Sequence, residues 1–191
     1  MTTQLTERRA WVPDPERQRL ADHTIEDVLT RPDEAPRVEV RAGLLVPVPP
    51  PTINHQRTVG LLWQWLSDHA PLGYLPCTNV GILIGLRDTF EPDLAVLRPP
   101  LVRGHHFFDP HQVALAVEVV TDDTQRRDRL EKPTEYAAAG IAHYWRVELD
   151  PLHVHAYDLV DGRYHRVADA ASELVLSAPF PIRLPLPDIT P

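Results

Sequence analysis

Hydrophobic residues run from Val113 to Val120 with one interruption, the charged side chain of Glu118. A run of this length without regular alternation predicts a β-strand that is covered on both faces. An isolated carboxylate in such a strand is costly to bury, so the group normally becomes neutral, pairs with another group or binds a cation. The pattern therefore predicts that Glu118 has a partner.

Three patterns precede this strand. Thr24 followed by Asp27 predicts the capped start of a short helix. Alternating apolar residues from 38 to 48, with a central turn, predict a β-hairpin. Between residues 54 and 68 apolar positions recur at helical spacing, and Asn54 is a suitable N-cap. The buried stripe of that helix would consist of His55, Val59, Leu62 and Leu66.

Further patterns complete the predicted order of elements. They indicate strands at 78–85 and 89–97, a helix at 123–139 that ends at Gly140, a strand at 141–149 and a hairpin at 154–167 around Asp161-Gly162. Pro133 either kinks the long helix or marks the start of its regular part, and the position of Lys132 depends on which. This order predicts an α/β fold (α+β, with a mixed sheet), in which helices flank a central sheet and hairpins are added at both ends of the chain.

Length and composition restrict the class of protein. A chain of 191 residues suits a flexible arm at 1–23 followed by a single domain at 24–191. One cysteine, Cys77, excludes intramolecular disulfides and multi-cysteine zinc sites. No secretory pattern opens the chain, and no apolar run approaches the roughly 18 residues that span a bilayer. We therefore expect a cytoplasmic protein with no membrane segment.

Charge and histidine content add two observations. The formal net charge of −8 argues against a surface for nonspecific nucleic-acid coating. A local basic patch at Arg126, Arg127 and Arg129 could still serve a nucleic acid, although a solvated helix face is the simpler explanation. The loop with His105, His106 and His111 has no further ligands at zinc spacing, so it is predicted to be polar surface.

One combination of residues could carry chemistry. Asp93 lies in a strand candidate, Glu118 in the central strand and Lys132 on the helix after it. Two carboxylates at one edge of a sheet form an all-oxygen site of the kind that Mg²⁺ prefers, and a nearby lysine can orient water or stabilise charge. On spacing alone, an exposed pair of Asp128 and Lys132, with Tyr136 on the same helix face, is the simpler interpretation.

Three segments together resemble a known family. They are Pro92-Asp93, residues 116–120 and residues 127–147, and the last contains Lys132 to Tyr136 followed by an Ala-Gly-x-x-x-Tyr-Trp pattern. In this combination the chain resembles the Uma-type family of restriction endonucleases, a branch of the PD-(D/E)XK nuclease superfamily. Glu39, the helix that begins at His55 and the hairpin at 157–164 also fit the family pattern, so the similarity extends over about residues 24–185.

The resemblance implies a restriction-endonuclease-like core and a nuclease that acts on nucleic acid, with DNA as the expected substrate. It implies Asp93 and Glu118 as ligands of Mg²⁺, or of Mn²⁺, and Lys132 as the catalytic lysine. The usual lysine of the superfamily lies two residues after the glutamate, a position that Val120 occupies in this chain. In the Uma-type pattern the lysine lies on the following helix, which matches Lys132. Tyr136 and His55 are secondary candidates and Glu39 is a third. For His55, a packed and hydrogen-bonded histidine at a helix start is the simpler explanation.

Two other functions stay open at this point. The chain could be a non-catalytic binding module that keeps the nuclease fold and uses Lys132 and Glu118 as a structural ion pair. It could also hydrolyse a phosphodiester outside nucleic acid. We further expect a homodimer, since two-fold assemblies are common.

Overall fold

The computed structural model describes residues 11–102, 104–121 and 130–191. The chain divides into two compact units, Met1–Pro49 with Gly85–Thr89 and Pro50–Ile84 with Phe90–Pro191. The predicted division into an arm and one domain stays a prediction, although a helix at Pro15–Leu20 lies within the stretch expected to be an arm. Asp128, the three arginines at 126, 127 and 129, and the predicted start of the long helix lie outside the described residues.

The regular elements are as follows. The helices are α1 (Pro15–Leu20), α2 (Ile25–Leu29), α3 (Ile53–His69) and α4 (Lys132–Ala138). The strands are β1 (Val38–Arg41), β2 (Leu44–Pro47), β3 (Leu75–Cys77), β4 (Gly81–Gly85), β5 (Asp88–Phe90), β6 (Leu94–Leu97), β7 (Phe107–Phe108), β8 (Val113–Val120), β9 (His143–Leu149), β10 (Leu152–Val160), β11 (Arg163–Ala170), β12 (Glu173–Leu176) and β13 (Ile182–Pro185).

The first unit contains the predicted N-terminal hairpin. Strands β1 and β2 pair antiparallel, and the turn between them places Ala42 and Gly43 at φ values of 46° and 77°. A two-residue turn with positive φ at both positions matches the twist of the strands that it joins. The capping box predicted from Thr24 and Asp27 is present at the start of α2. Both predictions for this unit are confirmed.

The second unit is built on a six-stranded sheet in the order β11-β10-β9-β8-β6-β3. Strands β8 and β9 are parallel, whereas the other neighbouring pairs are antiparallel, so the sheet is mixed. A parallel pair needs a crossover connection, and α4 lies in the one between β8 and β9. The C-terminal part adds two hairpins, β10–β11 and β12–β13. The predicted α/β fold with a mixed central sheet is confirmed.

Strand β8 lies at the centre of the core, and all of its residues are buried. Leu115, Val117 and Val119 belong to the hydrophobic cluster that includes the inner side of α3. Ala116 belongs to a second cluster, which contains Tyr136 of α4. Since successive side chains of a strand point to opposite faces, Glu118 lies on the face of Ala116. The prediction of a strand covered on both faces is confirmed.

Three local predictions differ from the structure. Thr52, not Asn54, caps α3, because its side chain accepts a hydrogen bond from the backbone of His55. The strand expected at 89–97 is split into β5 and β6, since Pro92 cannot donate to a strand ladder. Asp93 consequently lies in the segment directly before β6 instead of within a strand.

Proline determines where α4 begins. The regular α-helix starts at Lys132, after π-helical backbone at residues 130 and 131, and has Pro133 in its first turn, where proline is well tolerated. Of the two alternatives for Pro133, the start of the regular helix is the one observed within the described residues. Gly140 follows the helix with φ of 80°, as a C′ glycine does. None of the described helices has both the length and the apolar character needed to cross a membrane.

Candidate active site

Glu118 has two buried partners on α4. Its side chain is 1% exposed. The Lys132 ammonium donates to Glu118 Oε2 at 2.6 Å, and the Tyr136 hydroxyl donates to Oε1 at 2.7 Å. Lys132 and Tyr136 are four residues apart, so both side chains leave the helix on the same face. The glutamate that the hydrophobic pattern marked as needing a partner is thus held by a cation and a hydroxyl.

Asp93 lies next to this group. Its Oδ2 accepts a hydrogen bond of 2.8 Å from the backbone N–H of Val119, the residue after Glu118. His55 Nε2 lies 3.1 Å from the same oxygen, and the Asp93 side chain is 20% exposed. Burial by itself raises the pKa of Asp93, but the hydrogen bond from His55 and the charge of Lys132 outweigh it, so the pKa lies below its ordinary value. Asp93 is therefore ionised at neutral pH.

The sheet register explains why these residues meet. Strands β6 and β8 are antiparallel, and Leu94 is aligned with Val117. Continuing that register by one residue aligns Asp93 with Glu118 at the end of the sheet. Helix α4, in the crossover from β8 to β9, then places the Lys132 side chain against Glu118 of β8. Residues far apart in the chain converge because one antiparallel pairing and one parallel crossover share strand β8.

Five of the six predicted site residues come together in this way: Asp93, Glu118, Lys132, Tyr136 and His55. Glu39 lies on β1 in the first unit, where its side chain is buried. Its role stays a prediction, as do the catalytic and metal-binding roles of the other five. For His55, the structure shows the hydrogen-bonded position near a helix start that the simpler explanation expected.

Two features of this site were not among the sequence-based predictions. Lys132 is the only lysine in the chain, and arginine supplies the remaining basic residues. Lysine presents a compact point charge, whereas arginine presents a broad planar fork. A single lysine among arginines therefore points to a position that requires a compact charge. The second is Arg146, which is aligned with Glu118 across the parallel β8–β9 pair. Without knowledge of that pairing no spacing rule selects Arg146.

The donor set suits a hard cation. Asp93 and Glu118 offer carboxylate oxygens, which Mg²⁺ and Mn²⁺ prefer over nitrogen or sulfur. Among the described residues, the hydrogen bond from Val119 and the contact with His55 both reach Asp93 Oδ2. The lowered pKa of Asp93 keeps its charge in place at neutral pH. The residues present therefore fit a divalent metal.

Replacing Tyr136 with phenylalanine is expected to lower the free energy of unfolding by about 1.5–3 kcal/mol, because the buried Glu118 loses a charge-assisted hydrogen bond. Chemical denaturation measures the change. Tyr164→Phe is the matched control, since the Tyr164 hydroxyl donates to the neutral carbonyl of Ile141 and a loss of about 0.5–1.5 kcal/mol is expected there. Equal losses in both variants would contradict a special role for the Tyr136 hydroxyl.

Comparison with known proteins identifies the family. The family model Uma2, described as "Putative restriction endonuclease", matches residues 25–187. The chain belongs to the Uma2 family. The match spans α2 to the C-terminal segment and includes all six predicted site residues. The resemblance inferred from the residues is therefore confirmed.

A solved structure supports the fold of this Uma2 chain. The crystal structure of a putative nuclease belonging to DUF820 from Anabaena variabilis ATCC 29413 is similar, with a TM-score of 0.67 and 16% sequence identity. The similarity covers 87% of this chain and 96% of that one, so the two share a fold over almost their whole length. A comparison with curated proteins finds no match.

Proposed function

We propose that this Uma2 chain is an endonuclease that hydrolyses phosphodiester bonds of DNA with the help of a divalent cation, Mg²⁺ or Mn²⁺. The observation that carries the proposal is the buried contact of 2.6 Å between Lys132 and Glu118, beside an ionised Asp93. Two carboxylates at the end of one sheet can hold a divalent cation, and a lysine beside them can stabilise charge, so together they form a set suited to metal-assisted phosphodiester hydrolysis. The family description and the nuclease-like fold agree with it.

Asp93 and Glu118 would hold the cation. When bound, a divalent cation supplies positive charge to phosphate oxygens and makes water more acidic. His55 would position Asp93 through the contact of 3.1 Å at Oδ2. Tyr136 fixes the orientation of Glu118 through Oε1. These two side chains act through the carboxylates, so they are positioning residues.

Lys132 would stabilise the negative charge that develops on the phosphate or orient the attacking water. Its ammonium contacts Glu118, and its positive charge contributes to the lowered pKa of Asp93. Hydrolysis joins a water oxygen to phosphorus and breaks the bond from phosphorus to the leaving oxygen, while a proton leaves the water and another reaches the leaving oxygen. Negative charge grows on the phosphate oxygens during this exchange. A buried ammonium stabilises that charge more strongly than an exposed one, because water screens it less.

A second candidate function is a non-catalytic binding module. The observation that favours it is the same contact, because the Lys132–Glu118 pair also satisfies a buried carboxylate without any metal. The net charge of −8 agrees with a module that does not coat nucleic acid. In that function the pair is structural, and a divalent cation has no reason to bind there.

Incubation of the chain with supercoiled, linear and single-stranded DNA and with RNA tests the proposal. We expect cleavage of DNA in Mg²⁺ or Mn²⁺ and none in excess chelator. Calorimetric titration of Mg²⁺ then separates the two functions: binding to the wild type that is lost in Asp93→Asn supports the nuclease. Absence of both cleavage and Mg²⁺ or Mn²⁺ binding would leave the binding module as the better explanation.

Two further expectations belong with this proposal. A homodimer would present two active sites to the two strands of a duplex, and light scattering on the purified chain measures the oligomeric state. A cytoplasmic location, proposed from the sequence, is tested by fractionation of cells that express the chain.

A further inference from the structure

Two histidines and an aspartate form a separate cluster on the β10–β11 hairpin. His153 and His155 alternate on β10 and so share one face of the sheet. Asp169 of β11 is aligned with His155. One ligand atom from each of the three residues lies within 4.8 Å of the other two. Among the described residues, these three side chains therefore have donor atoms close enough together to hold one metal ion.

The contacts within the cluster bring its donor atoms together. His153 Nε2 contacts Asp169 Oδ1, and His155 Nδ1 lies 3.5 Å from Asp169 Oδ2. The two imidazole rings stack with centroids 4.7 Å apart. His155 Nδ1 is buried and has no hydrogen-bond partner among the described residues. A buried polar atom without a partner is uncommon, and a cation at this position would satisfy it.

We propose that His153, His155 and Asp169 form a second metal site, selective for a transition cation of the Zn²⁺ class. Two imidazole nitrogens and one carboxylate oxygen suit Zn²⁺, Co²⁺ or Ni²⁺, whereas Mg²⁺ prefers oxygen ligands alone. Three protein ligands leave a coordination position open to water or to a group on a bound molecule. The site goes beyond the proposed nuclease centre and does not depend on it.

Surrounding charge affects how tightly the site binds. Arg166 Nη1 lies 2.6 Å from Asp169 Oδ2, where it orients the carboxylate as the outer hydrogen-bond partners of metal ligands do. The same guanidinium, together with Arg146 beside His155, adds positive charge that opposes a cation. We therefore expect weaker binding than in a structural zinc site closed by thiolates.

The second site is distinct from the nuclease centre. Glu118, Arg146, His155 and Asp169 form one row across β8, β9, β10 and β11. Neighbouring strands lie roughly 4.8 Å apart, so the backbones of Glu118 and His155, two strands from each other, are separated by about 10 Å. Metals that share one reaction in two-metal sites lie only about 4 Å apart. The row therefore connects two sites that bind their cations separately.

Calorimetric titration of the intact chain with ZnCl₂ tests the site. We expect one equivalent to bind at this site, and the affinity of that equivalent to fall about tenfold or more in His155→Ala and in Asp169→Asn. His165→Ala is the matched control, because His165 is an exposed histidine on the same hairpin, and it should bind as the wild type does. Asp93→Asn should also retain Zn²⁺ binding, which separates this result from failure of the nuclease proposal.

A second measurement needs no variant. In the wild type, added Co²⁺ should broaden the imidazole NMR signals of His153 and His155 far more than those of His165. Equal broadening of all histidines, absence of Zn²⁺ binding, or an equal fall in affinity in His165→Ala would overturn the proposal.

Discussion

Replacing Glu118 with glutamine is expected to lower metal-dependent DNA cleavage by roughly 10²- to 10³-fold or more. Glutamine has nearly the same shape, so it can still accept from Lys132 or from Tyr136, but it lacks the negative charge with which Glu118 is proposed to hold a divalent cation. Asp93→Asn should cause a loss of similar size through the other carboxylate. Rates of plasmid nicking under single-turnover conditions measure the effect.

The control for this experiment is Glu135→Gln. Glu135 is exposed on the same helix as Lys132, so the change removes one negative charge without touching the site. Its cleavage rate should equal that of the wild type. Full activity in Glu118→Gln, measured with protein whose circular dichroism matches the wild type, would remove Glu118 from the catalytic site.

Replacing Lys132 with methionine is expected to lower the free energy of unfolding by about 3–5 kcal/mol. The change leaves the carboxylate of Glu118 buried without its cation, and an uncompensated buried charge is strongly destabilising. Denaturant titration measures the loss. The double variant with Lys132→Met and Glu118→Leu should recover most of it, since an apolar pair of similar volume often replaces a buried ion pair without net cost.

Lys132→Arg distinguishes charge from shape in the same experiment. Arginine retains the positive charge, but its larger planar group does not fit the position of a compact ammonium that contacts one carboxylate oxygen. We expect lower activity than in the wild type, with stability between those of Lys132→Met and the wild type.

The double variant with Lys132→Met and Glu118→Leu provides the contradicting outcome for the stability prediction. If it is as unstable as Lys132→Met alone, the stability comes from packing rather than from the ion pair.

The mixed fold was predictable because its elements carry local signals. The turns at Ala42-Gly43 and at Asp161-Gly162 place φ at positive values in both positions, and Asp-Gly is a pair that favours such a two-residue hairpin turn. The buried stripe of α3 follows from helical spacing, and all four of its residues are buried. The N-cap of that helix was wrong by two residues, because Thr52 and Asn54 both have side chains suited to capping.

The candidate site was predictable only in part. The hydrophobic run identified Glu118, and the predicted strands and helix placed Asp93 and Lys132 near it. The family resemblance then favoured these three residues over the simpler exposed pair of Asp128 and Lys132. The hydrogen bond from Val119 to Asp93 and the contact between His55 and Asp93 depend on atoms more than twenty residues apart in the chain. No local pattern encodes such contacts, since they arise when separate elements pack together.

By itself, the sequence determined that a carboxylate lies within a buried strand, because hydrophobic patterning and the cost of burying a charge are properties of a short segment. It also determined where most helices and strands form. Tertiary structure alone decided that Tyr136 joins Lys132 as a partner of Glu118, that Arg146 is the neighbour of Glu118 across the sheet, and that His153, His155 and Asp169 share one surface. Those relations depend on strand order and register, which are set by packing between segments distant in the chain.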